Sequence, residues 1–146
     1  MEKKYDNIQF LIVGISHDHI FKIIHHFQPL KLYLISSFEM EESTKILNHQ
    51  IKELNISSQI IWINPFKEDS LQQITNEIVW RAKKEMIEHP NIKIFIGFTG
   101  GTNLMAIAAG ISAMVLNAES HYVLKDKDEI LFFKPNEIVS SLENNI

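Results

Sequence analysis

The chain has 146 residues, 45% hydrophobic and 22% charged, with a formal net charge of −4; this suits one globular domain and excludes a general affinity for DNA or RNA, which needs a basic face. It contains no cysteine, so disulfides and thiolate chemistry are excluded. No apolar run approaches the ~20 residues of a membrane span, and the first residues carry no signal-peptide core, so a cytoplasmic protein with no membrane partner is expected.

Residues 8–14 form a near-continuous apolar run, the pattern of a strand buried on both faces. Ser16, His17 and Asp18 follow, and Ser16 or Asp18 is placed to cap a helix that runs to about residue 27 and stops before Pro29. Residues 32–35 read as a second strand, ending in Ser36 and Ser37. Residues 39–54 read as an acidic-started amphipathic helix, with Ile46, Leu47, Ile51 and Leu54 at helical spacing. A third strand is predicted over 59–63, and Asn64-Pro65-Phe66 turns away from it. Asp69 or Ser70 caps a long helix to about residue 88. A fourth strand over 92–98 and a fourth helix over 102–117 follow. Residues 121–124 and 130–133 pair around Asp126-Lys127-Asp128 as a hairpin. Residues 135–146 make a polar tail, a short helix or a frayed end. Trp62 and Trp80 are assigned to the core.

Four strand–helix alternations imply parallel pairing with right-handed crossovers. The predicted fold is α/β: a Rossmann-like, doubly wound, mostly parallel sheet of about six strands with an antiparallel C-terminal hairpin. One domain covers 1–134, and the tail lies outside it. Such sheets bind ligands beyond the carboxyl ends of their strands, where strand order reverses, here between strands one and four. Those two ends carry Gly14-Ile15-Ser16-His17 and Thr99-Gly100-Gly101-Thr102-Asn103. Ser36 ends the neighbouring strand and joins the candidate ligand-binding set.

The second of these turns suits an anion. Its glycines let the backbone approach a ligand, the first N–H groups of the following helix point at it, and two threonine hydroxyls add donors. It is neither a Walker loop nor a Gly-x-Gly-x-x-Gly turn. Asn103 offers an amide and no charge. His17 can serve as a general acid or base near neutral pH. His17 and His19 stand two apart, where ligands on one helix need three or four, so no metal is assigned and the histidines are expected to face solvent. The fourth helix is rich in small residues: Ala106, Ala108, Ala109, Gly110, Ser112 and Ala113. They allow close packing on the sheet, or close approach of a second copy across a two-fold axis.

With these residues in place, the chain resembles the CARF domains, the CRISPR-associated Rossmann fold. The first segment of resemblance is Leu11-Ile12-Val13-Gly14-Ile15-Ser16, followed by a helix and Lys31-Leu32-Tyr33-Leu34-Ile35. The second is Thr99-Gly100-Gly101-Thr102-Asn103-Leu104-Met105-Ala106, similar to the family's Thr-Gly-Gly-Thr signature, which continues with a basic residue. The resemblance implies a homodimer that binds a cyclic oligoadenylate, most often cyclic tetra-adenylate, in type III CRISPR antiviral signalling, without a cofactor. It implies that Gly14, Ile15, Ser16 and their neighbours, with Thr99 through Asn103, hold the ring. Family members usually carry a fused effector, and none is expected within residues 135–146, which read as a tail. Three roles follow: a stand-alone sensor, a ligand sponge, or a metal-independent ring nuclease; a regulatory domain that lost its ligand and pairs with a separate effector protein is the alternative from another class. Ring nucleases of the family use a serine after strand one, which Ser16 matches, and a lysine where this chain has Asn103; Lys22 is one candidate to replace it. An ordinary nucleotide-dependent enzyme would carry an acid after strand two, where Ser36 and Ser37 stand and Glu39 is close.

Overall fold

The computed structural model describes residues 6–145. β1 (Asn7–Ile12) is buried along its whole length, as a central parallel strand with both faces covered must be. The chain continues through α1 (Asp18–Phe27), β2 (Lys31–Ser37), a 3-10 turn at Phe38–Met40, α2 (Glu41–Glu53), β3 (Ser57–Ile63), α3 (Ser70–Glu88), β4 (Lys93–Gly97) and α4 (Asn103–Leu116). It closes with β5 (Glu119–Leu124), β6 (Glu129–Phe133) and α5 (Pro135–Asn144). The six strands form one sheet in the order β3-β2-β1-β4-β5-β6. All pairs are parallel except the β5–β6 hairpin.

The two-residue period of β1 divides the core. Ile8, Phe10 and Ile12 face a cluster completed by Ile74, Ile78 and Ala82 of α3 and by Ala108, Ala109 and Ala113 of α4. Leu11 faces the other cluster, built with Ile20 and Ile23 of α1 and Leu47 and Ile51 of α2. Phe10 and Tyr33, register partners on β1 and β2, stack with ring centroids 4.6 Å apart, a contact worth about 0.5–1.5 kcal/mol beyond its buried area. α1 and α4 each end on a left-handed residue, Gln28 and Asn117, which stops the helical hydrogen-bond run.

Several expectations change. The small residues Ala108, Ala109, Ser112 and Ala113 all turn inward, so they serve close packing within the chain. The exposed side of α4 carries large ones instead: Ile107, Ile111, Met114 and Val115. Trp80 is 50% exposed, with the Arg81 guanidinium 4.4 Å from its ring, because its position on α3 lies off the stripe of Ile74, Ile78 and Ala82. Trp62 is half-buried against Phe38. Neither Asp69 nor Ser70 caps α3 through its side chain; the Ser70 hydroxyl donates to the Asn64 carbonyl and accepts from the Lys67 N–H, fastening the β3–α3 loop. The tail from Pro135 is helical to Asn144, and Asn136 donates to the Met114 carbonyl at the end of α4. Among the described residues, no helix is long and apolar enough to cross a membrane.

Candidate functional site

β1 lies between β2 and β4, so the strand order reverses between β1 and β4. The loops leaving these two strands at their carboxyl ends touch backbone to backbone. A Cβ on Gly14 would stand 3.1 Å from the Gly101 nitrogen and 3.4 Å from the Gly100 Cα, so a larger residue there would crowd the facing backbone. Gly100 and Gly101 take φ of +93° and +68°, the region L side chains avoid. Two consecutive left-handed residues turn the chain sharply from β4 into α4.

Both threonines of the turn have structural employment. The Thr102 hydroxyl accepts from the Met105 N–H at 3.2 Å and caps α4. That leaves the N–H groups of Asn103 and Leu104 without intrahelical partners. The Thr99 hydroxyl accepts from the Val123 N–H at 2.7 Å, so its own proton is free to donate.

A cleft of about 780 Å³ opens over these loops. Gly14, Ile15, Ser16, Thr99, Gly100, Gly101 and Thr102 line it, as do Ser37, Glu39 and Phe66 from the far side and Lys125 and Asp128 from the hairpin. Ile15 is 95% exposed, so folding alone gives no reason for an isoleucine there.

Three of the candidates from the sequence lie off the cleft lining. Ser36 is fully buried, donating to the Ser37 carbonyl and lying 2.8 Å from the Thr44 hydroxyl. β2 runs to Ser37, two residues past the predicted end, and Ser37 is the serine that lines the cleft. Asn103, the first residue of α4, is exposed and does not line the cleft. His17 is the N-cap position of α1, and its Nε2 is buried without a hydrogen-bond partner.

Two residues of α1 that sequence reasoning passed over or left open do line the cleft: His19 and Lys22. With Ser16 they repeat every three residues, the spacing of one helix face, a signal available in the sequence. His19 does not face solvent as expected; it is half-buried, and its Nε2 donates to the Ile12 carbonyl at 2.8 Å. Burial lowers its pKa most, opposed by the bond to Ile12 and the charge of Asp18 and reinforced by His17. The neutral ring therefore carries its proton on Nε2 and leaves Nδ1 as an acceptor. The Lys22 ammonium forms an ion pair with the Asp128 carboxylate. Behind the turn, His121 is buried, and its Nε2 lies 2.7 Å from Gln9 Oε1. Burial, then His19 and His26, push the His121 pKa down to about 4. Among the described residues, no group of three histidines, aspartates or glutamates is placed to hold a metal ion.

No protein-family model matches the chain, and no curated protein matches it by sequence. Solved structures do match. The chain superposes on protein VC1899 from Vibrio cholerae with a TM-score of 0.74 at 13% identity, covering 88% of this chain and 33% of that one. It superposes on Can2 from Sulfobacillus thermosulfidooxidans, solved in complex with cyclic tetra-adenylate, with a TM-score of 0.69 at 18% identity, covering 87% and 35%. Enterococcus italicus Csm6, bound to cyclic hexa-2'-fluoro-hexa-dAMP, gives 0.66 at 18% identity, covering 84% and 34%. The chain thus spans about a third of the length of each. Its fold is CARF-like: a Rossmann-type sheet whose two glycine turns meet at the switch point.

Proposed function

We propose that the chain binds a cyclic oligoadenylate, with cyclic tetra-adenylate as the first choice, and works as a homodimeric cytoplasmic sensor in type III CRISPR antiviral signalling. The observation that carries this reading is the backbone contact of the Gly14 and Gly100–Gly101 turns beside a cleft of about 780 Å³. Two glycine turns and a helix start bring backbone N–H groups to one place, which suits phosphates. The Ser16 and Thr99 hydroxyls add donors, and the exposed Phe66 and Ile15 offer apolar surface to bases. Two of the structural neighbours were solved with cyclic oligonucleotides bound. A symmetric ring suits a duplicated site on a two-fold axis. The exposed row Ile107, Ile111, Met114 and Val115 on α4, the helix that starts at the turn, is apolar surface for a second copy to bury. In this reading His17, Ser36 and the side chain of Asn103 stand outside the contact set.

Thermal unfolding with cyclic tetra-adenylate and cyclic hexa-adenylate tests the proposal. A ring at 100 times its dissociation constant adds about 2.7 kcal/mol. No stabilisation by either ring refutes it. If the chain instead co-purifies with a separate effector and binds neither ring, the ligand-free regulatory role stands.

Ser16 and Lys22 on one cleft wall support a second reading, a metal-independent ring nuclease. A ribose 2′-hydroxyl held in line would attack the adjacent phosphorus, forming a 2′,3′-cyclic phosphate and releasing the 5′-oxygen, which takes a proton. Labelled ring kept with excess protein and no metal would be cut, and Ser16→Ala would stop it. A ring that stays whole excludes cleavage.

A further inference from the structure

The charges of the cleft fit a polyanion poorly as they stand. Asp18, Glu39 and Asp128 bring three carboxylates to the lining, whereas Lys22 and Lys125 bring two ammonium groups. One of those two is already engaged. Lys22, on the second turn of α1 and mostly shielded, is paired with Asp128, whose side chain is 92% exposed. Asp128 is the last residue of the turn between β5 and β6, in a left-handed conformation with φ of +53°. The pair joins a helix on one wall to a hairpin tip on the other, and both residues line the same cavity. Asn103, the first residue of α4, is uncharged and off the lining.

We infer that Lys22 is the cation that receives a ligand phosphate, and that its ion pair with Asp128 is an internal substitute for that phosphate contact. The inference rests on the reading of the cleft as a cyclic-oligoadenylate site. A carboxylate at the tip of an exposed turn is held loosely, because exposed ion pairs are weak. A phosphate fixed by the glycine turns brings the same charge with more acceptor oxygens. Ligand entry therefore exchanges one anion for another at Lys22 and releases the hairpin tip.

The test uses the full chain and measures cyclic tetra-adenylate affinity at several salt concentrations. Lys22→Gln is expected to weaken binding at least tenfold, and Asp128→Asn, in which Lys22 starts unpaired, to steepen the fall of log affinity with log salt by up to about 1, a change that disappears when Lys22 is also replaced and that a merely structural residue would not produce. Asp128→Asn is expected to tighten binding up to about fivefold, the upper worth of an exposed pair. Asp126→Asn makes the same charge change in the same turn, away from the lining, and is expected to stay within twofold of wild type. The double variant Lys22→Gln, Asp128→Asn is expected to bind like Lys22→Gln alone. A chain that binds only once Asp128 is neutralised also supports the inference. If wild type binds and Asp128→Asn matches it, or if Asp128→Asn tightens binding equally without Lys22, the inference falls and the cyclic-oligoadenylate reading survives. If no variant binds, both fall together.

Discussion

Gly101→Ala adds one methyl group at the junction of β4 and α4, and its cost follows from the local geometry. The residue holds φ of +68°, where an L side chain costs about 1–2 kcal/mol. The new methyl would stand 2.4 Å from Cγ2 of Ile12 and 2.9 Å from Sδ of Met105. The thioether can swing aside. Ile12 cannot, since it is β-branched, 1% exposed and fixed at the end of β1. Overpacking of that kind costs about 1–3 kcal/mol, so Gly101→Ala is expected to destabilise by about 2–5 kcal/mol. At about 3 °C per kcal/mol for a chain of this size, melting falls by roughly 6–15 °C. Gly110→Ala is the control. It adds the same methyl inside α4, where nothing lies within 4 Å, and should stabilise by about 0.5–1 kcal/mol through helix propensity. Urea denaturation with an unchanged m-value reads both. A loss below about 1 kcal/mol for Gly101→Ala, or an equal loss in Gly110→Ala, would refute the reasoning.

Three other predictions follow from single contacts. Ser36→Ala leaves the buried Thr44 hydroxyl without the partner it has at 2.8 Å; urea denaturation should show a loss of about 1–3 kcal/mol, while affinity for the ring changes less than twofold. His121 binds its proton near pH 4 in the folded chain and near 6.5 when unfolded. The unfolded state therefore takes up a proton first as pH falls. The stability present above pH 6.5 drains between 6.5 and 4, by about 2 kcal/mol between pH 8 and pH 5. Urea denaturation across that range checks the loss, and an imidazole proton resonance of His121 titrating near 6.5 would contradict it. Ile111→Glu places a charge on the exposed face of α4; sedimentation should show the proposed dimer falling to monomer, and a dimer that persists assigns the interface elsewhere.

Much of the frame was legible because it rests on period and punctuation. The continuous apolar run of β1, the glycine pair after β4 and the strand–helix alternation carry the sheet order, and the sheet order places the crevice. What escaped reading depends on ends and on distance. Two extra residues on β2 exchanged Ser36 for Ser37. Asn103 was legible as an early helical residue; that it stands exposed and off the cleft lining was not. His19 and Lys22 carried a three-residue rhythm from Ser16 that the adjacent histidines obscured. The approach of Asp128 to Lys22 spans 106 residues, and no local pattern announces a contact of that range.

The Thr99 hydroxyl bonded to the Val123 N–H has a consequence for how such chains diverge. β4 ends at Gly97 while β5 runs on to Leu124, and the threonine supplies the acceptor that a backbone carbonyl would have given. Thr102 likewise starts α4, and Gly101 fits where a methyl would not. A descendant that had ceased to bind anything would still be held to these residues by its need to fold. The side chains free to drift are those on which the fold makes little demand, Ile15 and Lys125 at the rim. Loss of the ligand would be written there first, while the glycine–threonine turn continued unchanged.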